Sequence, residues 1–308
     1  GFLTEYSKPI IVGDESVLRK GMEIAGVNFE YNVADTMEEA AKMDGIVLFN
    51  TKSLDASKVE MAVVSAENGK EEADNLCKTM DACKAGIIDG FCFAPLNKAA
   101  MKNGGYKYES EHELFAEYFG VLDQPHGEMN VLDGLWTSRA TSHIPLKDVS
   151  EHLTMKTVTD AIDLAYSTLK RAGYEDPKVA IAAVNPHGGD SGTCGREEID
   201  VLIPAVEKAN KEGKNIVGPF PSDTLFIKAF DGEFNAVVTM YHDQGQIALK
   251  LKGFERGITV AAGQPYAIAT PAHGTAYDIA GKGICKTSAF EEAFKLVVKM
   301  ALGDKKSK

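Results

Sequence analysis

One stretch constrains this chain more than any other: Val184-Asn185-Pro186-His187-Gly188-Gly189-Asp190-Ser191-Gly192-Thr193-Cys194-Gly195-Arg196. The apolar run 179–184 stops at Asn185-Pro186, and one histidine and four glycines follow. Arg196-Glu197-Glu198-Ile199-Asp200 then opens an amphipathic pattern. A strand, a polar glycine-rich turn and a helix start, in that order, make a site at the C-terminal edge of a sheet. Glycines let backbone N–H groups approach a ligand, and a helix N-terminus suits phosphate or carboxylate. The spacing is not the dinucleotide G-x-G-x-x-G, and such turns also occur without any ligand. His187 stands where it can bind a metal or move a proton.

The same alternation runs through the chain. Strands are expected at 9–13, 45–49, 86–94, 131–141, 179–184, 215–218, 236–240 and 257–262. Helices are expected at 15–26 (capped by Asp14), 71–85, 108–120, 149–172, 196–212 and 289–302. Val158, Ala161, Ile162, Ala165 and Leu169 form one apolar stripe on the long helix. This is an α/β pattern around a largely parallel sheet, entered almost directly on a strand, with 303–308 a frayed basic end. At 308 residues the chain is long enough for two domains sharing a cleft, or for one large domain.

A net charge of −12 disfavours nucleic acid as a partner, so a small anionic substrate needs a local cluster of positive groups. No apolar run approaches the roughly 20 residues of a membrane span, and no signal peptide is visible. Five cysteines (Cys77, Cys83, Cys92, Cys194, Cys285) without a Cys-x-x-Cys read as reduced thiols in a cytoplasmic protein. Cys194 is either a reactive thiol or a small packing residue.

Three of the seven histidines end apolar or strand-like runs: His143, His187 and His242. Strand ends on one edge of a parallel sheet point into one crevice, where three imidazoles can form a metal site with an open position. Such ligands favour zinc or cobalt over magnesium. The alternative is that each is a hydrogen-bonded, half-buried histidine. Asp243 can orient His242 or act as a base. Lys250 is either an anion contact and general acid/base or a solvated helix lysine. Asn97 and Lys98 open a helix, as ligand contacts or as a cap with an exposed lysine. His273, in Thr270-Pro271-Ala272-His273-Gly274-Thr275, is a ligand contact or a local cap. Ser222 or Asp223 can cap the helix after Gly218-Pro219-Phe220-Pro221.

Five motifs in order carry a resemblance. They are Ala94-Pro95-Leu96-Asn97-Lys98; Asn185-Pro186-His187-Gly188-Gly189 with Gly195-Arg196-Glu197-Glu198-Ile199; Gly218-Pro219-Phe220-Pro221-Ser222-Asp223-Thr224; Tyr241-His242-Asp243-Gln244-Gly245; and His273-Gly274-Thr275-Ala276-Tyr277-Asp278-Ile279-Ala280-Gly281. Over residues 9–302 the chain resembles the 4-hydroxythreonine-4-phosphate dehydrogenase family. The resemblance implies a fold like that of isocitrate and isopropylmalate dehydrogenases, with two α/β/α domains and an inter-domain cleft. The first domain is expected to take 1–112 with 246–308, and the second, dimer-forming one 113–245. The resemblance further implies a homodimer with a shared active site and NAD- or NADP-linked oxidation of a secondary alcohol on a phosphorylated hydroxy acid, followed by decarboxylation. It implies a divalent metal (zinc, or else cobalt, manganese or magnesium) on His143, His187 and His242, with Lys250 or Asp243 taking the proton. Substrate positions map to Asn97, Glu111, His112, Lys250 and Thr259, and the cofactor to Gly188, Gly189, Gly192, His273 and Asp278.

The departures from the family pattern are specific. Glu111-His112 stand where the family has His-Thr, and the substrate asparagine and arginine positions hold Thr259 and Ile268. Loss of that arginine removes a bidentate anion contact. These changes resemble the family's second branch, which acts on threonate or erythronate 4-phosphate. The alternatives are a dihydrodiol dehydrogenase of the same family, a metal-dependent lyase or hydrolase without nicotinamide, or a non-catalytic metabolite-binding homologue. The family's Gly-Asp-Pro-rich N-terminal segment has no counterpart here, so this chain is expected to start later than its relatives.

Overall fold

The structure is a computed structural model and describes residues 2–108 and 110–306. In chain order its strands are β1 (Ile10–Gly13), β2 (Asn32–Ala34), β3 (Val47–Asn50), β4 (Gly90–Cys92), β5 (Gly127–Leu132), β6 (Leu135–Arg139), β7 (Val179–Ala182), β8 (Ile216–Phe220), β9 (Ala236–Thr239), β10 (Ile258–Ala262) and β11 (Ala267–Pro271). The chain divides into two compact units, Gly1–Tyr118 with Tyr266–Ala301, and Phe119–Pro265 with Leu302–Lys308.

In the first unit β1, β3 and β2 lie side by side in that order, all parallel, and β4 pairs in parallel with β11. The helix Glu15–Ala25 starts as its sequence implies: the Asp14 carboxylate accepts the Ser16 amide at 2.8 Å. It ends on Gly26 in the left-handed conformation. A short helix, Phe2–Tyr6, precedes β1, so the first element is not a strand. The β11 residues are all buried.

In the second unit the strand order is β10-β5-β6-β9-β7-β8. The pairs β6–β9, β9–β7 and β7–β8 are parallel, while β10–β5 and β5–β6 are antiparallel. The sheet is therefore mixed rather than largely parallel. The cause is Asp133-Gly134, with φ of 49° and 87°, a two-residue turn with both residues left-handed that folds β5 onto β6 as a hairpin. The stretch 131–141, expected as one strand, is the end of one hairpin arm and all of the other.

Every residue of β7 is fully buried, as expected of a central strand in a parallel array. The helix Met155–Arg171 packs through Val158, Ala161, Ile162, Ala165 and Leu169. It does not extend back to residue 149. A separate turn, Val149–His152, ends at Leu153, and Thr154 restarts the chain with a reciprocal cap to Thr157. The 196–212 segment opens as a π turn, Glu198–Leu202, before the α-helix Ile203–Lys211. Pro204 has no N–H to give to the Asp200 carbonyl, which removes the regular α bond at that point. The closing helix runs Ser288–Lys306, so the segment expected to fray is helical to Lys306, where Asp304 pairs with Arg171. Residues 307–308 of that segment lie outside the described residues, as does Glu109 of the helix expected at 108–120, which forms over Glu111–Phe119.

Candidate active site

Parallel pairing decides which turns become neighbours. β6 and β9 are in register with Arg139 opposite Thr239. Their pairing continues past the strand ends: the Ala140 amide donates to Thr239 O at 2.8 Å and the Thr141 amide to Met240 O at 3.1 Å. The Thr141 hydroxyl adds a bond to Met240 O at 2.6 Å. The turns carrying His143 and His242 thus leave the sheet side by side, and the two rings stand 5.7 Å apart, centre to centre, at 41°.

That spacing fits a shared cation. Two imidazoles bound to one zinc at about 2.1 Å have ring centres on the order of 5 Å apart. The Nδ1 of His242 lies 2.7 Å from the Asp243 carboxylate. This partnership fixes the ring and leaves Nε2 for a ligand.

His187 does not complete the cluster. Among the described residues no group of three or more His, Cys, Asp or Glu side chains is arranged to hold a metal ion within a single chain. His187 is exposed in the turn after β7. From His187 to Ser191 five consecutive residues are left-handed, three of them not glycine (His187 φ 56°, Asp190 φ 44°, Ser191 φ 56°). Such residues cost about 1–2 kcal/mol each relative to ordinary backbone.

The turn is held from beneath by Glu198, 1% exposed, which sequence reasoning passed over. One carboxylate oxygen accepts the Val184 and Asn185 amides, each at 2.8 Å, and the other accepts the Asn185 side chain at 2.9 Å. Glu197 also takes the Asn185 amide group, at 2.6 Å, and the Ser150 hydroxyl. Those bonds from Ser150 and Asn185 hold the Glu197 carboxyl below its ordinary range. A Cβ at Gly189 would fall 2.7 Å from a Glu198 oxygen, and one at Gly195 would fall 2.4 Å from the Asn185 side chain. Glycine at these two positions is required by packing within the turn itself. Arg196 pairs with Asp200 at 2.8 Å on the surface.

A second tie joins β7 to the His242 helix. Gln244 accepts the Met240 amide and donates to Ala183 O and Ser222 Oγ, each at 2.7 Å. Ser222 donates to Ala183 O at 2.7 Å. The helix Ser222–Phe230 has no side-chain cap, so Ser222 and Asp223 do not play the capping role expected of them. The helix His242–Gly253 carries Lys250, exposed, about two turns beyond His242. Thr259, buried on β10, accepts from Asn130 on β5 at 3.0 Å.

The remaining candidates lie in the first unit. Asn97 caps the helix Lys98–Asn103 by accepting the Ala100 amide at 2.9 Å. Lys98 reaches Glu111 at 3.7 Å, and His112 is buried, edge-on to Phe115. His273 bonds locally to Gly274 O at 2.9 Å, and Asp278 is exposed on the 3-10 turn Tyr277–Ile279. A cavity of about 530 Å³ in this unit, lined by Lys52, Ser53, Lys58, Ser65 and Asn68 among others, contains none of the singled-out residues.

The fold is thus a mixed α/β sheet with two imidazoles brought together beyond the C-terminal ends of adjacent parallel strands. Residues 5–297 match the family described as pyridoxal phosphate biosynthetic protein PdxA, and the chain belongs to that family. A Rhizobium meliloti (strain 1021) protein provisionally named 4-hydroxythreonine-4-phosphate dehydrogenase 2 is 42% identical, over 95% of this chain and 84% of its own. A Halalkalibacterium halodurans protein provisionally named D-threonate 4-phosphate dehydrogenase is 32% identical, over 97% and 89%. The crystal structure of 4-hydroxythreonine-4-phosphate dehydrogenase from Klebsiella pneumoniae superposes with a TM-score of 0.83 at 30% identity, covering 95% of this chain and 88% of that one. The family's relatives are named dehydrogenases, which places this chain among the oxidoreductases. Among the described residues no helix is long and apolar enough to cross a membrane.

Proposed function

We propose that this protein oxidises the secondary alcohol of a phosphorylated four-carbon hydroxy acid of the threonate or erythronate 4-phosphate type, with NAD or NADP as hydride acceptor. The observation that carries the reading is the His143–His242 pair, 5.7 Å apart, with Asp243 holding Nδ1 of His242. The substrate class is supported by Thr259 and Ile268 at the positions where the family pattern has asparagine and arginine, and by the D-threonate 4-phosphate names among the relatives.

In this reading His143 and His242 hold a divalent metal, zinc or else cobalt, manganese or magnesium, with His187 contributed across a homodimer interface. When bound, that metal supplies Lewis acidity toward the substrate hydroxyl oxygen. Asp243 keeps His242 in the tautomer that presents Nε2. Lys250 as its free amine, or Asp243, directly or through water, would take the hydroxyl proton, and oxidised nicotinamide, when bound, would supply the hydride acceptor. Where a carboxylate lies β to the new ketone, its bond to the α carbon would then break, releasing carbon dioxide and leaving an enolate that takes up a proton to give the product ketone. Glu111, His112, Asn97 and Thr259 position the substrate. The backbone around Gly188, Gly189 and Gly192, with His273 and Asp278, takes the cofactor.

The test is a turnover assay of the purified chain that follows reduced-nicotinamide absorbance. Threonate, erythronate and 4-hydroxythreonine 4-phosphates are offered with both cofactors, before and after chelation. Reduction with threonate or erythronate 4-phosphate, abolished by chelator and restored by zinc or cobalt, supports the reading. Turnover indifferent to chelation, or none with any of the three, refutes it.

A further inference from the structure

Arg139 is the last residue of β6, and its side chain is 9% exposed. Its three kinds of donor reach three different acceptors. Nε donates to Ser142 Oγ at 3.0 Å, Nη1 to Asn130 Oδ1 at 3.3 Å, and Nη2 to Glu128 Oε2 at 2.6 Å. Asn130, 5% exposed, is equally committed: its Nδ2 donates to Glu128 Oε1 at 2.9 Å and to Thr259 Oγ1 at 3.0 Å. Its Oδ1 accepts a further bond from Gln246 Nε2. Ser142 immediately precedes His143, and Gln246 lies one turn beyond His242 on the same helix.

We propose that Arg139, acting with Asn130, is a positioning residue that sets the separation of the His143 and His242 rings. The proposal rests on the reading of those two histidines as ligands of one metal. One arm of the network runs from the guanidinium through Ser142 to the His143 turn. The other runs through Asn130 to Gln246 and the His242 helix. The planar fork is what makes both arms possible, because its donors are held at fixed angles to one another, whereas a lysine ammonium is a single point on a flexible stem. Arg139 is not a substrate-phosphate anchor. Its bonds go to protein acceptors, and Glu128 beside it balances its charge. Thr259 belongs to the same network, so the family's substrate-asparagine position is here tied to the metal-ligand scaffold through Asn130.

The experiment titrates metal-stripped full-length protein with Co²⁺ alone, reading affinity calorimetrically and ligand geometry from the visible cobalt bands. A thermal melt of each apo-protein is taken alongside. The variants are Arg139→Lys, Gln246→Leu, and the pair Arg139→Met with Glu128→Gln, which avoids leaving the half-buried Glu128 carboxylate without its neutralising guanidinium. Gln246→Leu cuts only the Asn130 arm and keeps the test open if the arginine variants fold poorly. Groups that orient metal ligands typically contribute about 10–100-fold in affinity. The expected result is a loss of about that size in Arg139→Lys and Gln246→Leu, with altered cobalt bands and an apo melting temperature close to wild type. Wild-type affinity and bands in folded variants overturn the proposal while leaving the histidine assignment intact. If the wild type binds no Co²⁺, or if His143→Ala and His242→Ala bind it as well as wild type, the histidine assignment falls and the positioning role with it.

Discussion

The rings of His143 and His242 stand 5.7 Å apart although they lie 99 positions apart in the chain, because β6 and β9 are adjacent parallel strands whose pairing continues to Thr141 and Met240. The backbone ladder therefore brings the two turns side by side, and the spacing of the rings within that frame is left to side chains. His187, in the turn that follows β7, leaves the same sheet edge on a segment held by Glu198.

Asp243 accepts from His242 Nδ1 at 2.7 Å and should be worth about 10–100-fold in metal affinity. Asp243→Asn removes the carboxylate while keeping the size. Cobalt or zinc titration of this variant should show weaker binding with little change in melting temperature.

Glu198 is buried and satisfies two backbone amides and one side-chain amide. Removing it leaves the Val184 and Asn185 backbone amides unpaired, at a cost of about 1–3 kcal/mol for each group buried without a partner, while the Asn185 side chain keeps its bond to Glu197. Urea denaturation of Glu198→Ala should therefore show a loss of several kcal/mol, and Glu198→Gln a smaller one. A Glu198→Ala protein as stable as wild type would show that the turn is not anchored there.

The Glu197 carboxyl is held below its ordinary range by Ser150 and Asn185. A group whose folded pKa is depressed stabilises the fold above its unfolded pKa, about 4.3 for glutamate, and loses that contribution as pH falls through the folded value. Glu197→Gln should thus be less stable than wild type at neutral pH, and the two melting temperatures should converge in acid. A gap that widens as pH falls would contradict the assignment.

Asp190 adopts φ 44°, a left-handed conformation that glycine reaches without strain. Asp190→Gly should raise stability by about 1 kcal/mol, read as an upward shift in melting temperature. If the strained turn presents His187 to a metal, the same variant should weaken cobalt binding.

Burial pushes the thiols of Cys83 and Cys92 up to about 12, whereas Cys194 and Cys285 are exposed. A disulfide reagent at neutral pH should label Cys194 and Cys285 quickly and leave Cys83 and Cys92 unmodified until the protein unfolds.

Much of the fold was legible because its elements carry local signals. The apolar run of β7, the 158–169 stripe and the Asp14 cap each form as their residues imply. The β5–β6 hairpin escaped because 131–141 is apolar on both sides of Asp133-Gly134, so hydrophobicity outweighed the turn signal that the dipeptide carries. The histidines could be singled out by their place at strand ends, but their distance apart depends on strand order, which no local pattern encodes. Glu198, Gln244, Asn130 and Arg139 were invisible for a related reason. Each is a polar residue whose role comes from partners on other elements, 9 to 129 residues away in these bonds. Arg139 at the end of the apolar strand Leu135–Arg139 was the one available hint, since a charge there needs a partner.

The most direct measurement is X-ray absorption at the zinc edge of the zinc-loaded full-length protein, compared with His143→Ala and His242→Ala. Imidazole nitrogens at about 2.0–2.1 Å in the wild type, with one fewer in each variant, are the expected result. A zinc environment without imidazole, or one that neither substitution changes, would contradict the central claim that these two rings share a cation.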